Sequence, residues 1–282
     1  MIVLIPNAGL CNRMRAIDSA LALSQKYGHT LKVYWERNAG LNCRFNELFQ
    51  TLPEKTVLMR EVNSKPYRFY NPRDMKREWV ASLLQKYQQN TFNKTIYIED
   101  VKKMVRDGYD FSKLGEYSSL LIESSSRFFY PPNGTLYQHF KPLPEIMSRI
   151  DKISCSFSND TVGVHIRRAD HLKAIENSPL ELFIHMMKKE IEINTNTNFF
   201  VASDDLTVKT ELSSLFGDKI ILSSSKDGER STKEGVKGAV VDLYSLSRTK
   251  KVLASYGSSF SHTACHLSSI EEVVVKRSHT VR

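Results

Sequence analysis

The sequence predicts an α/β protein built from two Rossmann-like domains that face a cleft. Three observations lead there. The chain opens strand–helix–strand, its second half alternates short β-branched runs with helical stretches, and its 282 residues exceed one ordinary domain. Strands that alternate with helices imply parallel sheets covered on both faces.

The first strand is IVLI, a compact β-branched run. The next segment, CNRMRAIDSALALSQKYG, places Met14, Ile17, Leu21, Ala22 and Leu23 as a helix does, and Gly28 closes it as a C-cap. TLKVYW then alternates with period two, completing the start of a βαβ unit. Its glycine loop, NAGLCNR, lies at the carboxyl end of the first strand, where ligands sit in open α/β sheets.

From about residue 44 to 135 the pattern weakens. This stretch is rich in Tyr, Phe, Lys and Arg, with a helical run near WVASLLQKY and a strand-like TIYIED. It reads as the rest of the first domain, with irregular elements facing an acceptor. The helix PEIMSRIDKISCSF leads out of it, so the expected division is 1–155 and 156–282. Beyond that point TVGVHI, FFVAS, KIILSS, KVLAS and EEVVVK are strands. Helices are expected at 180–193, from near Asp205, over VVDLYSLSRT and around SFSHTACHL, and a Ser/Lys/Gly-rich loop covers 223–236.

Apolar residues make up 41% and charged residues 25%, which excludes a disordered chain. No run approaches the roughly 18–20 apolar residues that span a bilayer. MIVLI meets Pro6 too soon for a signal peptide, so a cytoplasmic protein is expected. Cys11, Cys43, Cys155 and Cys265 form no CxxC pair, so neither a zinc site nor a disulfide framework is expected. The net charge of +9 suits an anionic partner. Nucleic acid, peripheral contact with an acidic membrane, and a nucleotide sugar all meet that description.

Three segments carry chemistry. In GVHIRRAD, 163–170, a buried strand ends by presenting His165, Arg167, Arg168 and Asp170. Alternation sends His165 and Arg167 to one face and Arg168 to the other. A guanidinium fork matches phosphate oxygens and stabilises charge on a departing diphosphate. Arg167 is read as functional and Arg168 as functional or solvated, with Asp170 anchoring an arginine. In FFVASDD, 199–205, Asp205 caps the next helix, while Ser203 and Asp204 are open to a ligand. In VVDLYSLSRTKKVLASYGSSFS, Asp242 stands at a helix start, where it either complements the dipole or accepts from a guanine edge. The turn Gly257–Ser258–Ser259 offers backbone amides and hydroxyls to an anion.

In order and approximate spacing these three segments resemble the donor-binding region of the superfamily that unites α-1,6-fucosyltransferases, nodulation fucosyltransferases and protein O-fucosyltransferases. The likeness covers residues 161–265. NAGLCNRMRAI, with Asn12 and Arg13, is similar to that superfamily's glycine-rich first loop. The resemblance implies a GT-B-like fold, with the acceptor on the N-terminal domain and the nucleotide sugar on the C-terminal one. It also implies that His165 and Asp242 contact guanine or ribose, that Arg167 binds the β-phosphate, and that Ser258 and Ser259 cradle the diphosphate. Glu176, ahead of Pro179, stands where the α-1,6 branch has a glutamate, at a shorter spacing, and is the candidate general base; Asp170 and Asp18 are the next. Two departures are the glycine before the paired serines and Cys11 in the first loop.

The expected activity is therefore inverting transfer of fucose from GDP-fucose to a glycan hydroxyl, without a metal or cofactor and without nucleic acid. A related transferase using another nucleotide sugar, or a non-catalytic nucleotide- or RNA-binding protein, are the alternatives. Against RNA, no aromatic residues interleave with basic ones in an RNP-like pattern.

Overall fold

In the computed structural model, residues 1–38, 40–52, 57–62, 77–168, 172–223 and 231–277 are described. The chain divides into two compact units, Met1–Lys141 and Pro142–Arg282. Each carries a five-stranded, wholly parallel sheet.

In the first unit β1 (Ile2–Pro6), α1 (Leu10–Tyr27) and β2 (Leu31–Glu36) follow the expected pattern. Gly28 ends α1 in the left-handed conformation (φ 68°), which costs an L-residue but not glycine. β3 (Val57–Val62), α2 (Glu78–Thr91), β4 (Lys94–Ile96), α3 (Ile98–Arg106) and β5 (Leu120–Ser124) continue the sheet. The strand expected over TIYIED is therefore short: IED already belongs to α3, whose Asp100 accepts from the Tyr97 amide. The sheet order is β3-β2-β1-β5-β4. The direction of winding changes between β1 and β5, and their register brings Ile5 beside Glu123 and Pro6 beside Ser124. Trp35, Phe45, Phe49 and Phe140 pack edge to face or tilted at 5.4–6.3 Å, and the Trp35 indole donates to the Cys43 carbonyl at 2.9 Å.

The second unit begins with α4 (Pro144–Ser154), followed by β6 (Val162–Ile166), α5 (Leu172–Asn177), α6 (Leu180–Ile193), β7 (Phe199–Ser203) and α7 (Leu206–Phe216). β8 (Ile220–Leu222), α8 (Lys233–Leu246), β9 (Lys251–Ser255), α9 (Ser259–Ser268) and β10 (Glu271–Val275) complete it. The expected division near 155 places α4 with the first half of the chain. In the fold α4 joins the second unit, because it packs on α8. Glu145 meets Lys237 at 2.5 Å and Asp151 meets Arg248 at 2.7 Å.

Sheet order here is β10-β9-β6-β7-β8, so winding reverses between β6 and β9. Val162, Val164 and Ile166 enter one apolar core with Phe183, Met187, Phe199, Val201 and Leu212. The opposite face of β6 carries Gly163 and His165. A Cβ on Gly163 would stand 2.7 Å from Thr249 Oγ1 and 2.9 Å from Leu246 Cδ2, so only glycine lets the end of α8 lie against the strand.

Among the described residues no helix is long and apolar enough to cross a membrane.

Candidate functional site

In an open α/β sheet the crevice for a ligand lies at the carboxyl edge where winding reverses. In the second unit that point is between β6 and β9, and two of the three chemistry-bearing segments end there. Ile166 hands the chain to Arg167 and Arg168, while Ser255 hands it to Tyr256, Gly257 and Ser258. The third segment ends beside them, since β7 pairs with β6 and terminates at Ser203 and Asp204.

Hydrogen bonds tie the three ends together. The Arg167 amide donates to Ser255 Oγ at 3.0 Å, and that hydroxyl donates to the His165 carbonyl at 3.3 Å. The Tyr256 amide donates to Ser178 Oγ at 2.8 Å, whose own proton goes to the Val275 carbonyl at 2.5 Å. Gly257 (φ 66°) then turns the chain so that the Ser258 amide reaches the Ser255 carbonyl. Ser258 Oγ accepts from the Phe260 amide at 3.3 Å and so caps α9. Capping occupies a lone pair and leaves the hydroxyl proton available to an anion. Ser259 opens the helix, and no acidic residue occupies the first turn, so the partial positive end of α9 is uncompensated.

Asp204 organises the arginines. Its Oδ2 accepts from the Arg167 guanidinium in a short contact, and its Oδ1 accepts from the Arg168 amide at 2.8 Å. Sequence reasoning assigned arginine anchoring to Asp170, which lies outside the described residues; Asp204 anchors Arg167. Arg168 turns inward, and its guanidinium donates to the carbonyls of Arg167 and Ser178, both at 3.0 Å. Burial lowers its pKa, against the pull of Asp204, Asp205 and Glu181. Arg168 thus ties the loop down and presents no free fork. Asp205 is the N-cap of α7, accepting from the Thr207 amide at 2.8 Å, as its position before the helix implies. Ser203 accepts from the Asp205 amide at 3.2 Å.

His165 is 5% exposed and stacks on Phe260 of α9 with ring centroids 4.8 Å apart. Asp242 does not stand at a helix start. Helix α8 starts at Lys233, capped by Thr232, so Asp242 sits well inside the helix and cannot complement its N-terminal dipole. The sequence placed the start too late because Gly235 and Gly238 interrupt the apolar pattern. Asp242 is 8% exposed, and its Oδ1 has no hydrogen-bond partner among the described residues. Burial pushes its carboxyl pKa up, opposed by Lys209, the Ser223 hydroxyl and Arg149. A buried carboxylate oxygen with no donor is costly unless an N–H or O–H group meets it. Lys209, 7% exposed on α7, went unnoticed in the sequence, because a lone lysine in a helix gives no signal.

Glu176 is exposed on the short helix α5, between β6 and α6.

In the first unit, Arg13 is 1% exposed and its guanidinium is committed. It donates to the Ala8 carbonyl at 2.8 Å, to the Glu36 carbonyl, and to Asn38 Oδ1 at 3.2 Å, and it lies 5.1 Å over Trp35. Arg13 clamps the first loop to the end of β2, so its expected place among donor contacts gives way to a structural one. Asn12 is half-buried, and its Oδ1 lacks a hydrogen-bond partner among the described residues. Asp18 pairs with Arg127 at 2.8 Å and accepts from the Tyr137 amide at 3.1 Å. It is buried, with a pKa raised by desolvation, and serves packing inside the unit rather than proton transfer.

Among the described residues no group of three or more His, Cys, Asp or Glu side chains could hold a metal ion.

No protein-family model and no curated protein sequence matches the chain. Solved structures do. The fucosyltransferase NodZ from Bradyrhizobium superposes with a TM-score of 0.64 at 18% identity, covering 93% of this chain and 90% of that one. An Arabidopsis thaliana FUT1 variant in complex with GDP gives 0.66 at 15% identity, over 99% of this chain and 71% of the other. POFUT1 in complex with GDP-fucose gives 0.57 at 14% identity, over 97% of each chain. The two-unit α/β fold of this chain is thus the GT-B-like fold of the NodZ, FUT1 and POFUT1 fucosyltransferases.

Proposed function

We propose that the protein is a GDP-fucose-dependent glycosyltransferase that acts with inversion on a glycan hydroxyl. The observation that carries this reading is the convergence of Arg167, Ser255, Ser258 and the start of α9 where winding reverses between β6 and β9. It has the chemistry of a diphosphate site, and it sits on a fold shared with NodZ, FUT1 and POFUT1, whose structures hold GDP or GDP-fucose.

In this reading the donor binds the second unit and the acceptor the first. Arg167, held in place by Asp204, offers guanidinium N–H donors to the β-phosphate. Ser258 Oγ–H and the amides at the start of α9 receive the remaining oxygens. His165 and Asp242 address the nucleoside, Asp242 through the carboxylate oxygen left without a donor. The acceptor oxygen attacks the anomeric carbon as the bond from that carbon to the diphosphate oxygen breaks. The electron pair leaves with GDP, whose growing charge falls on Arg167 and α9. The acceptor proton passes to a carboxylate, for which Glu176 is the candidate. No step in this scheme calls for a metal.

Thermal melting with GDP, UDP, GDP-fucose and GDP-mannose tests it. GDP and GDP-fucose should raise the melting temperature, with no effect from UDP. Slow release of GDP from GDP-fucose in water should be measurable before any acceptor is known. Equal shifts with GDP and UDP, or faster hydrolysis of GDP-mannose, would overturn the assignment.

A further inference from the structure

We propose that His262 and His266 form a surface site for a borderline divalent cation such as Zn²⁺, Ni²⁺ or Cu²⁺, bound through their Nε2 atoms. The two histidines stand four residues apart on α9, so their side chains share one helix face, a spacing suited to two imidazoles on one metal. Their ring centroids are 4.1 Å apart and both residues are exposed.

What sets this pair apart is the state of the other ring nitrogen. His266 Nδ1 lies 2.8 Å from the His262 carbonyl, an acceptor only, so Nδ1 carries the proton. His262 Nδ1 lies 3.2 Å from Glu272 Oε2 on β10. A backbone carbonyl and a carboxylate are the groups that orient metal-binding imidazoles and make their free nitrogen more basic. Both rings are thereby fixed with Nε2 as the acceptor, and no hydrogen bond occupies either Nε2 among the described residues. Glu272 is itself partly buried, so its carboxylate is held in place against the His262 ring.

Imidazole nitrogen suits Zn²⁺, Ni²⁺ and Cu²⁺, whereas Mg²⁺ and Ca²⁺ prefer oxygen. Two protein ligands leave the remaining positions to water or an external group. Nearby Cys265 does not compete, because it is buried and its Sγ faces the Glu271 carbonyl. The His262–His266 pair does not depend on the proposed transferase activity.

Calorimetric titration of the full chain with ZnCl₂ tests it, in a Cys155→Ser background that removes the exposed thiol. One Zn²⁺ should bind per chain, unaffected by excess Mg²⁺. His262→Ala and His266→Ala should each weaken binding at least about tenfold, Glu272→Gln about tenfold, and His185→Ala on α6 not at all. Metal-free melting curves check that the variants fold. On the unsubstituted chain, substoichiometric Cu²⁺ should broaden the imidazole proton resonances of His262 and His266 before those of the other histidines. Zn²⁺ affinity unchanged in either single variant, or broadening that starts at other histidines, overturns the proposal.

Discussion

Asp204 and Arg167 form an ion pair that is nearly enclosed, with the two side chains 12% and 13% exposed. The same carboxylate accepts the Arg168 amide, so one acidic side chain at the end of β7 sets the path of the loop after β6. Removing one member of such a pair leaves the other charge buried and unmatched, at a cost of about 3 kcal/mol. Asp204→Ala should therefore lower stability by about that amount in denaturant titration. Asp204→Asn should retain more stability and still lose about tenfold in GDP affinity, because the guanidinium is no longer aimed. GDP affinity equal to wild type in Asp204→Asn would make the pair a folding element only.

Arg167→Ala should abolish detectable GDP binding, and Arg167→Lys should restore it only in part. Lysine supplies charge without the planar fork that meets two phosphate oxygens. Full restoration by lysine, measured calorimetrically, would reduce the role to a point charge. Arg168→Ala should act differently. Its guanidinium ties down the Arg167 and Ser178 carbonyls, so the loss should appear in stability, at about 1–3 kcal/mol, more than in affinity.

Asp242→Asn should stabilise the free protein at neutral pH and remove the preference for GDP over UDP. The carboxyl pKa is raised in the folded state by burial, so folding favours its protonated form. Its contribution to stability is full below the unfolded pKa and is lost as pH rises through the folded pKa. The stability gap between Asn and wild type should thus open with rising pH and vanish in acid. A pH-independent gap would remove desolvation as its cause.

Gly163→Ala should destabilise the second unit by about 1–3 kcal/mol, since the added methyl meets Thr249 and Leu246 on packed elements. Thermal unfolding checks this. A neutral result would show that α8 can withdraw from β6 at little cost.

Glu176→Gln should leave GDP affinity unchanged and slow transfer by about 10²–10⁴-fold in kcat, the usual contribution of a general base. Single-turnover GDP release with the true acceptor provides the measurement. Wild-type turnover would move the base elsewhere, and Asp18 would not inherit it, because Arg127 and the Tyr137 amide already hold that carboxylate.

Periodicity and punctuation were legible in the sequence by itself. IVLI, TVGVHI, FFVAS and KVLAS are strands because buried parallel strands require continuous apolar runs. The helix after Pro179 and the Asp205 cap are local events, decided within one turn of chain. So were the chemistry-bearing ends of β6, β7 and β9, since a charged or polar residue after an apolar strand must emerge at the sheet edge. The partners of those residues belonged to the tertiary structure alone. Asp204 and Arg167 are 37 residues apart, and only the pairing of β7 with β6 makes them neighbours. Arg13 looked available for a ligand, yet two backbone carbonyls, Asn38 and Trp35 bury its guanidinium. The start of α8 was hidden by Gly235 and Gly238, which helix propensity disfavours and packing tolerates. Propensity and period act over a few residues. Which hydrogen bond a buried polar group makes depends on what the fold brings across from a distant strand.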